Sequence, residues 1–252
     1  MSAAAAPGTT LLWDVAALRW EPAPPGPPGR GWIRCTDLVD PGSAELDRHL
    51  AVVAERQGTA RPSVTASLLL ERHAWALATA AFGSLLGEGL LPDLAAANVA
   101  VRLDGDGFAG ALLLGDPRLE PVAPTAALEP LARGLLAGHL LPLVERLAER
   151  GVHRGRRALR CLVVDALAAG IAGAAAPTWT GAVEASALAV ALAAILGTPP
   201  RLHPRLLPAG GGLVRKRAVC CLLHTERGVH CATCPHLSDA ETVRRCGPTA
   251  PD

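Results

Sequence analysis

Four of the chain's seven cysteines lie close together near its carboxyl end, at Cys220, Cys221, Cys231 and Cys234. A C-x-x-C turn folds around a metal and places two thiolates on it, as in zinc knuckles and iron–sulfur proteins. The adjacent pair Cys220–Cys221 is unusual, because neighbouring side chains diverge and both sulfurs reach one centre only where the backbone bends. Zinc sites usually space a ligand pair by two to four residues, so this pattern favours a two-iron cluster, which four thiolates saturate. A structural zinc site with four cysteines is the alternative.

Two other patterns mimic known sites but have the wrong context. Residues 105–110 match G-x-G-x-x-G, yet a dinucleotide site needs a helix to begin there, and here β-leaning runs flank the glycines, so we predict a hairpin turn. His224 and Glu226 upstream of the C-x-x-C pair mimic a zinc deaminase pattern. The four residues between Glu226 and Cys231 cannot span the two helices on which such a site is built.

Positive charge is concentrated around the cysteines. The whole chain has a net charge of +1, but residues 201–246 carry seven Arg and one Lys against three acidic residues, a local charge of 8 − 3 = +5. Arg215, Lys216 and Arg217 directly precede the first cysteine. They would either raise the potential of a bound cluster and dock an acidic redox partner, or form a solvated basic loop. Three nearby histidines are expected to be surface residues: His224, His230 and His236.

The remaining cysteines and one buried acid have simpler interpretations. We expect Cys35 and Cys161 to be ordinary half-buried cysteines, whereas Cys246 is near enough to the cluster to serve as a substitute ligand. Asp165 lies in an apolar helical run. We expect it to be a paired polar residue on a helix face, with a place in a substrate cleft as the alternative.

The amino terminus and the composition indicate a cytoplasmic protein. The first residues lack the basic region and apolar core of a signal peptide, and the longest apolar run, 185–196, is about half the length that a bilayer needs. Cytoplasmic thiols are kept reduced, so a cysteine cluster there favours metal binding over disulfides. The near-zero net charge argues against nucleic acid as a partner.

Apolar spacing predicts a mostly helical chain. Trp75 and Phe82, on the longest predicted helix, are expected in the core. Residues 21–31 are expected to form a loop, and 99–115 a hairpin turning at 105–107. We predict helices over these residues: 40–58, capped by Ser43; 61–87; 126–150, kinked or split at Pro142; 156–174; and 181–196.

These elements predict a mainly α fold with a small β-hairpin or sheet, of the α+β class. They also divide the chain into two parts. Residues 1–200 would form a helical body with a small β-hairpin near 99–114. Residues 201–252 would form a loop-rich segment that carries the cysteines, because its Pro and Gly residues forbid long elements. No internal repeat and no P-loop motif occur.

The carboxy-terminal pattern resembles that of the ferric siderophore reductases of the FhuF type. Their [2Fe–2S] cluster is held by a C-C-x10-C-x2-C motif; the gap in this chain is nine residues. The resemblance implies that Cys220, Cys221, Cys231 and Cys234 hold the cluster and act through it. A looser similarity, to the helical body that these reductases share with the carboxy-terminal part of siderophore synthetases, runs through ASLLLERHAWALATAAF and GHLLPLVERLAERG.

The resemblance further implies one-electron reduction of a cytoplasmic ferric siderophore, of the hydroxamate type. Because no flavin or nicotinamide motif occurs, the electron would come from a ferredoxin or a flavin reductase, and peripheral association with a membrane transporter would fit this role. Two alternatives stay open. One is a zinc-binding module without redox activity, and the other is a siderophore-binding protein whose cluster senses iron or redox state.

Overall fold

The structure, a computed structural model, describes residues 10–14, 19–23, 31–174, 179–209 and 212–246. About 56% of these residues are helical and the strands form small antiparallel sheets, so the fold is mixed α+β. The helices are α1 Cys35–Val39, α2 Glu45–Gln57, α3 Pro62–Glu88, α4 Leu128–Pro130, α5 Leu141–Glu149, α6 Arg156–Ala174, α7 Trp179–Ile195, α8 His224–Arg227 and α9 Asp239–Cys246. The strands are β1 Thr10–Asp14, β2 Arg19–Ala23, β3 Trp32–Arg34, β4 Leu90–Pro92, β5 Val99–Leu103, β6 Ala109–Leu114, β7 Leu119–Pro121, β8 Arg205–Ala209 and β9 Gly212–Lys216.

The central element is α3, which packs along α6. Helix α3 begins at Pro62, because a first-turn residue has no helical partner for its N–H and proline lacks that group. It ends at Glu88 and is capped by Gly89, which has a left-handed φ of 68°. Its side chains are buried almost all round, as expected for a helix inside a domain. At Gly170 of α6 a Cβ atom would lie 2.6 Å from Ala78 Cβ, so glycine permits the two backbones to approach closely.

One face of the body carries a five-stranded antiparallel sheet with the order β2-β1-β6-β5-β3. The hairpin predicted around 105–107 is confirmed as β5 and β6. Asp104 Oδ1 accepts hydrogen bonds from the N–H groups of Asp106 and Phe108, and Gly107 has a φ of 83°. The small β-hairpin or sheet expected in the body is thus a five-stranded sheet built around this hairpin. Strands β1, β2 and β3 are short and lie beside Pro- and Gly-rich sequence, which hid them.

The predicted helices are confirmed with shifted ends. Helix α2 begins at Glu45 rather than Asp40, and its N-cap is Ala44 rather than the predicted Ser43, although Ser43 Oγ accepts the Glu45 N–H at 3.1 Å. The helix predicted over 126–150 is continuous from α4 to α5, through a π-helical stretch at Leu131–Leu140. That stretch ends just before Pro142, so the irregularity expected at this proline takes the form of a π segment. Part of the predicted loop 21–31 lies outside the described residues, and residues 21–23 belong to β2.

The carboxy-terminal segment is more ordered than its Pro and Gly content suggested. Strands β8 and β9 pair as an antiparallel hairpin, and α9 follows the cysteines. These elements are short, with five residues in each strand and eight in α9, and none is of the long kind that Pro and Gly were expected to forbid. Pro208 is tolerated because a two-stranded hairpin has only edge strands. Within the described ranges, no helix is long and apolar enough to cross a bilayer.

The two aromatic residues expected in the core differ in burial. Phe82 is fully buried among the apolar side chains of the body. Trp75 is only partly buried, and the Arg72 guanidinium lies over its ring at 4.8 Å. Phe82 therefore has the larger share in the core.

Candidate metal centre

The cysteines follow β9 and are brought together by two turns. Cys221 and Cys231 lie close enough for each to shift the pKa of the other, and Cys220 lies close enough to raise the pKa of Cys234. The Cys220 and Cys234 sulfurs and a His236 ring nitrogen lie within 4.8 Å of one another. The structure thus brings two of the four predicted ligands, Cys220 and Cys234, together with His236, and places Cys221 and Cys231 as a second close pair.

The backbone bend that adjacent cysteine ligands require is found directly after them. Leu222 has a φ of 67°, an uncommon conformation for a bulky residue and one often found at functional sites. The bend turns the Leu222 N–H toward Cys220 Sγ, at 3.3 Å. In the C-x-x-C turn the Cys234 N–H donates to the Cys231 carbonyl at 3.0 Å. Both cysteine pairs therefore lie on tight turns.

Asp165 of α6 holds the strand end that leads into the first cysteine. Its two carboxylate oxygens accept the N–H groups of Ala218 at 2.9 Å and Val219 at 3.2 Å. Burial raises its pKa to about 6, against the opposing effect of Arg215. The expectation of a paired polar residue is confirmed, and its partner is the cysteine loop rather than a substrate cleft.

Arg215, Lys216 and Arg217 are largely buried in ion pairs, so the expectations of a docking surface and of a solvated loop were wrong, whereas an effect on the potential of a cluster stays a prediction. Their side chains are only 8%, 10% and 9% exposed, and therefore they neither dock a partner nor form a solvated loop. Glu71 of α3 accepts hydrogen bonds from both arginines, and Asp239 accepts from Lys216 at 2.8 Å. Sequence reasoning missed Glu71, since it lies more than 140 positions away. An acidic residue on an otherwise apolar helix was the available signal.

Positive charge faces the thiols from two sides. Arg154 Nη2 donates to the Cys220 carbonyl at 2.6 Å, and Arg217 Nε donates to Thr233 Oγ1 at 3.0 Å. Arg154 Nε and Arg217 Nη1 are buried and have no hydrogen-bond partner among the residues that the structure describes. A hydrogen bond from Cys221 lowers the pKa of Cys231 to about 7, and Arg217 favours its thiolate as well. These contacts suit a centre that gathers negative charge.

The three histidines form a group on the outer side of the cysteines. Their ring centroids are 5.1 to 5.8 Å apart, and His224 Nδ1 lies 3.3 Å from Cys220 Sγ. His230 and His236 are exposed, as predicted, whereas His224 is half-buried. Val229, next to His230, is 66% exposed. This side of the centre is therefore open to solvent.

The other three cysteines lie elsewhere. Cys246, at the end of α9, belongs to no candidate ligand group within the described ranges. Cys161 is fully buried in α6, rather than half-buried as predicted. Cys35 is fully buried rather than half-buried, and it lies beside His73 and His139 in a second group that sequence reasoning missed.

The fold and this site define an α+β protein with a four-cysteine candidate metal centre on a carboxy-terminal segment. Comparisons with protein-family models, with curated proteins and with solved structures give no match for the chain. Its function must therefore be argued from its own residues.

Proposed function

We propose that this chain is a ferric siderophore reductase of the FhuF type, in which Cys220, Cys221, Cys231 and Cys234 hold a [2Fe–2S] cluster. The observation that carries the proposal is that each cysteine of the first turn lies near one of the second, Cys220 near Cys234 and Cys221 near Cys231. The left-handed Leu222 supports it, because this bend allows adjacent cysteines to serve one centre. The residues fit the cluster in number, in donor type and in the positive charge around them.

The proposed reaction is the one-electron reduction of a chelated Fe(III) substrate. A bound [2Fe–2S] cluster supplies a one-electron couple whose potential depends on nearby charge, hydrogen bonds and solvent exposure. Siderophores hold Fe(III) through anionic oxygens, commonly hydroxamates. Lowering the charge of the iron weakens each oxygen contact, and Fe(II) ranks low in affinity for most sites. The chelator then releases iron without being destroyed.

The chain's own residues would stabilise the thiolates and expose one side of the centre. Arg154 binds the Cys220 carbonyl and Arg217 binds Thr233, so both place positive charge near the cysteines. The Leu222 N–H donates to Cys220 Sγ. His230 and His236 lie on the open side, so a chelate would approach there. The electron would come from an external ferredoxin or flavin reductase. We place the reaction in the cytoplasm, with peripheral association to a transporter.

Anaerobic purification followed by visible absorption and EPR spectroscopy tests the cluster. We expect about two irons per chain and an EPR signal that appears after dithionite reduction. Cys221→Ser should lose most of the iron and the signal, whereas the matched buried variant Cys161→Ser should keep both. A colourless protein with stoichiometric zinc, or a Cys221→Ser variant with full iron content, would refute the cluster.

The reductase activity needs its own measurement. The reduced protein should be mixed anaerobically with ferric hydroxamates, and Fe(II) should be trapped with a coloured chelator. Reoxidation of the cluster should match Fe(II) formation and should require the ferric chelate. If the cluster forms but no chelate reoxidises it, the sensing role is favoured.

A zinc-binding module is the second candidate, because Cys220, Cys234 and His236 already form a three-ligand group. Two thiolates and an imidazole are common zinc ligands. His236→Ala separates the candidates: the variant should keep the iron and its EPR signal under the reductase proposal, and should lose bound metal under the zinc proposal.

A further inference from the structure

A second set of metal-binding side chains lies inside the body, on three separate elements. Cys35 begins α1, His73 lies in the middle of α3, and His139 lies in the π-helical stretch Leu131–Leu140. One ligand atom from each lies within 4.8 Å of the other two. All three side chains are at most 1% exposed. π-Helical segments occur frequently at functional sites, and this one carries a member of the group.

The two imidazoles are oriented as ligands of one ion would be. His73 Nε2 and His139 Nε2 are 3.0 Å apart. Two nitrogens bound to one ion at about 2.0–2.1 Å and a tetrahedral angle would be about 3.3 Å apart, so a small movement would suffice. His139 Nδ1 lies 2.8 Å from the Leu94 carbonyl and donates to it, which leaves the Nε2 lone pair facing inward. Such a backbone partner behind a histidine is typical of metal ligands.

Hydrogen bonding within the described residues does not satisfy this group. If His73 Nε2–H donates to His139, then His73 Nδ1 is an acceptor, and it is buried with no partner among the residues that the structure describes. An unsatisfied buried polar atom destabilises the folded state. Hydrogen bonding alone therefore does not account for the close approach of the two Nε2 atoms.

We infer that Cys35, His73 and His139 form a buried site for one thiophilic d10 metal ion, Cu⁺ in preference to Zn²⁺. One thiolate and two neutral imidazoles carry a single negative charge, so Cu⁺ makes the site neutral and Zn²⁺ leaves a buried positive charge. Burying an uncompensated charge is costly, and thiolate and imidazole both suit these two ions. Binding releases the Cys35 thiol proton, and the His73 ring proton moves from Nε2 to Nδ1. Both imidazoles are already neutral, because burial lowers their pKa values, to about 4 for His139.

The site is enclosed, so the ion would enter during folding or through a local opening. Leu94, whose carbonyl holds His139, lines a surface cavity of about 210 Å³ together with Leu131 and Leu135 of the π-helical stretch. Metal should therefore be supplied during expression rather than added to the folded protein. The inference does not depend on the proposed function, because the two sites share no residue.

The test is the metal content of protein expressed with added copper or added zinc, measured together with iron by mass spectrometry. We expect about one copper or zinc per chain beyond the iron in the wild type. Cys35→Ser and His73→Gln should each lose most of this metal, whereas Cys161→Ser, another buried cysteine variant, should keep it. Iron content and the EPR signal should be unchanged in all three variants.

X-ray absorption at the copper or zinc edge tests the wild type without any variant. We expect one sulfur and two imidazole nitrogens around the ion. A shell of four sulfurs would place the metal on Cys220–Cys234 and would overturn the inference. Wild-type protein with no copper or zinc from either medium, or a Cys35→Ser variant with undiminished metal, would overturn it as well.

Discussion

The helical body and the segment 205–246 are held in place by different forces. In the body, α3 and α6 bury Leu, Ala and Val side chains on nearly all sides. In the segment, few apolar residues are fully buried, and its order depends on ion pairs, hydrogen bonds and thiols. Two acidic residues of the body, Glu71 and Asp165, hold the segment through its arginines and its backbone. The comparison indicates that the body folds on apolar burial, whereas the segment depends on polar contacts with the body.

The largest effect should come from the core of the body. Phe82→Ala removes a fully buried aromatic ring and should lower the free energy of unfolding by about 3–5 kcal/mol, because a cavity remains. Urea titration followed by circular dichroism measures this. Val190→Ala, at a side chain that is 55% exposed, is the control and should change stability by about 0.5 kcal/mol or less. Equal losses in the two variants would contradict the assignment of the core.

The next effect should be confined to the segment. Glu71→Gln leaves Arg215 and Arg217 buried without their carboxylate partner, which should destabilise the closed segment by about 3–5 kcal/mol. The segment should therefore open more often, because opening exposes the two arginines to water. We expect faster tryptic cleavage between residues 215 and 245 and faster loss of iron, with the helical signal of the body largely kept.

The matched control for this variant is Glu129→Gln, which breaks an exposed pair with Arg133. It should leave proteolysis unchanged, since exposed pairs contribute about 0–1 kcal/mol. If Glu71→Gln unfolded the body as severely as Phe82→Ala does, the distinction between the two regions would fail.

A smaller effect is expected at Asp165. In Asp165→Asn the side chain keeps one oxygen that can accept from Ala218 or Val219 and loses the second acceptor. One buried N–H group is then left without a partner, which should lower the free energy of unfolding by about 1–3 kcal/mol. The cysteine loop should loosen, so iron should leave faster in the presence of a chelator. Asp116→Asn, at an exposed carboxylate, is the control and should retain iron like the wild type.

The smallest effect concerns a buried polar group of the body. His49 Nε2–H donates to the Gly107 carbonyl at 3.0 Å; burial lowers the His49 pKa, although Gly107 and Glu45 oppose this shift. The unfolded chain therefore binds a proton that the native state does not, and stability falls as the pH drops below the ordinary value of about 6.5. His49→Gln should make this fall less steep when urea titrations at several pH values are compared with the wild type. An identical slope would show that His49 takes no part.

Much of the body was predictable because its signals are local. Apolar spacing located α3 and α6, and the glycines and aspartates at 104–107 located the hairpin. The strands β1, β2 and β3 were not predictable in this way, because each is at most five residues long and is defined by its neighbours in the sheet. Strands β8 and β9 were hidden by the Pro and Gly residues around them.

The candidate site likewise has a part that the sequence predicts and a part that only the structure gives. The sequence alone was enough to predict the four candidate ligands, because a C-C pair and a C-x-x-C turn bring cysteines together over short stretches of chain. These residues are Cys220, Cys221, Cys231 and Cys234. Only the tertiary structure decided that Arg215 and Arg217 are buried against Glu71, and that Cys35, His73 and His139 meet in the core. Contacts between residues far apart in the chain depend on how helices pack, and local sequence carries no record of which side chains will then face each other.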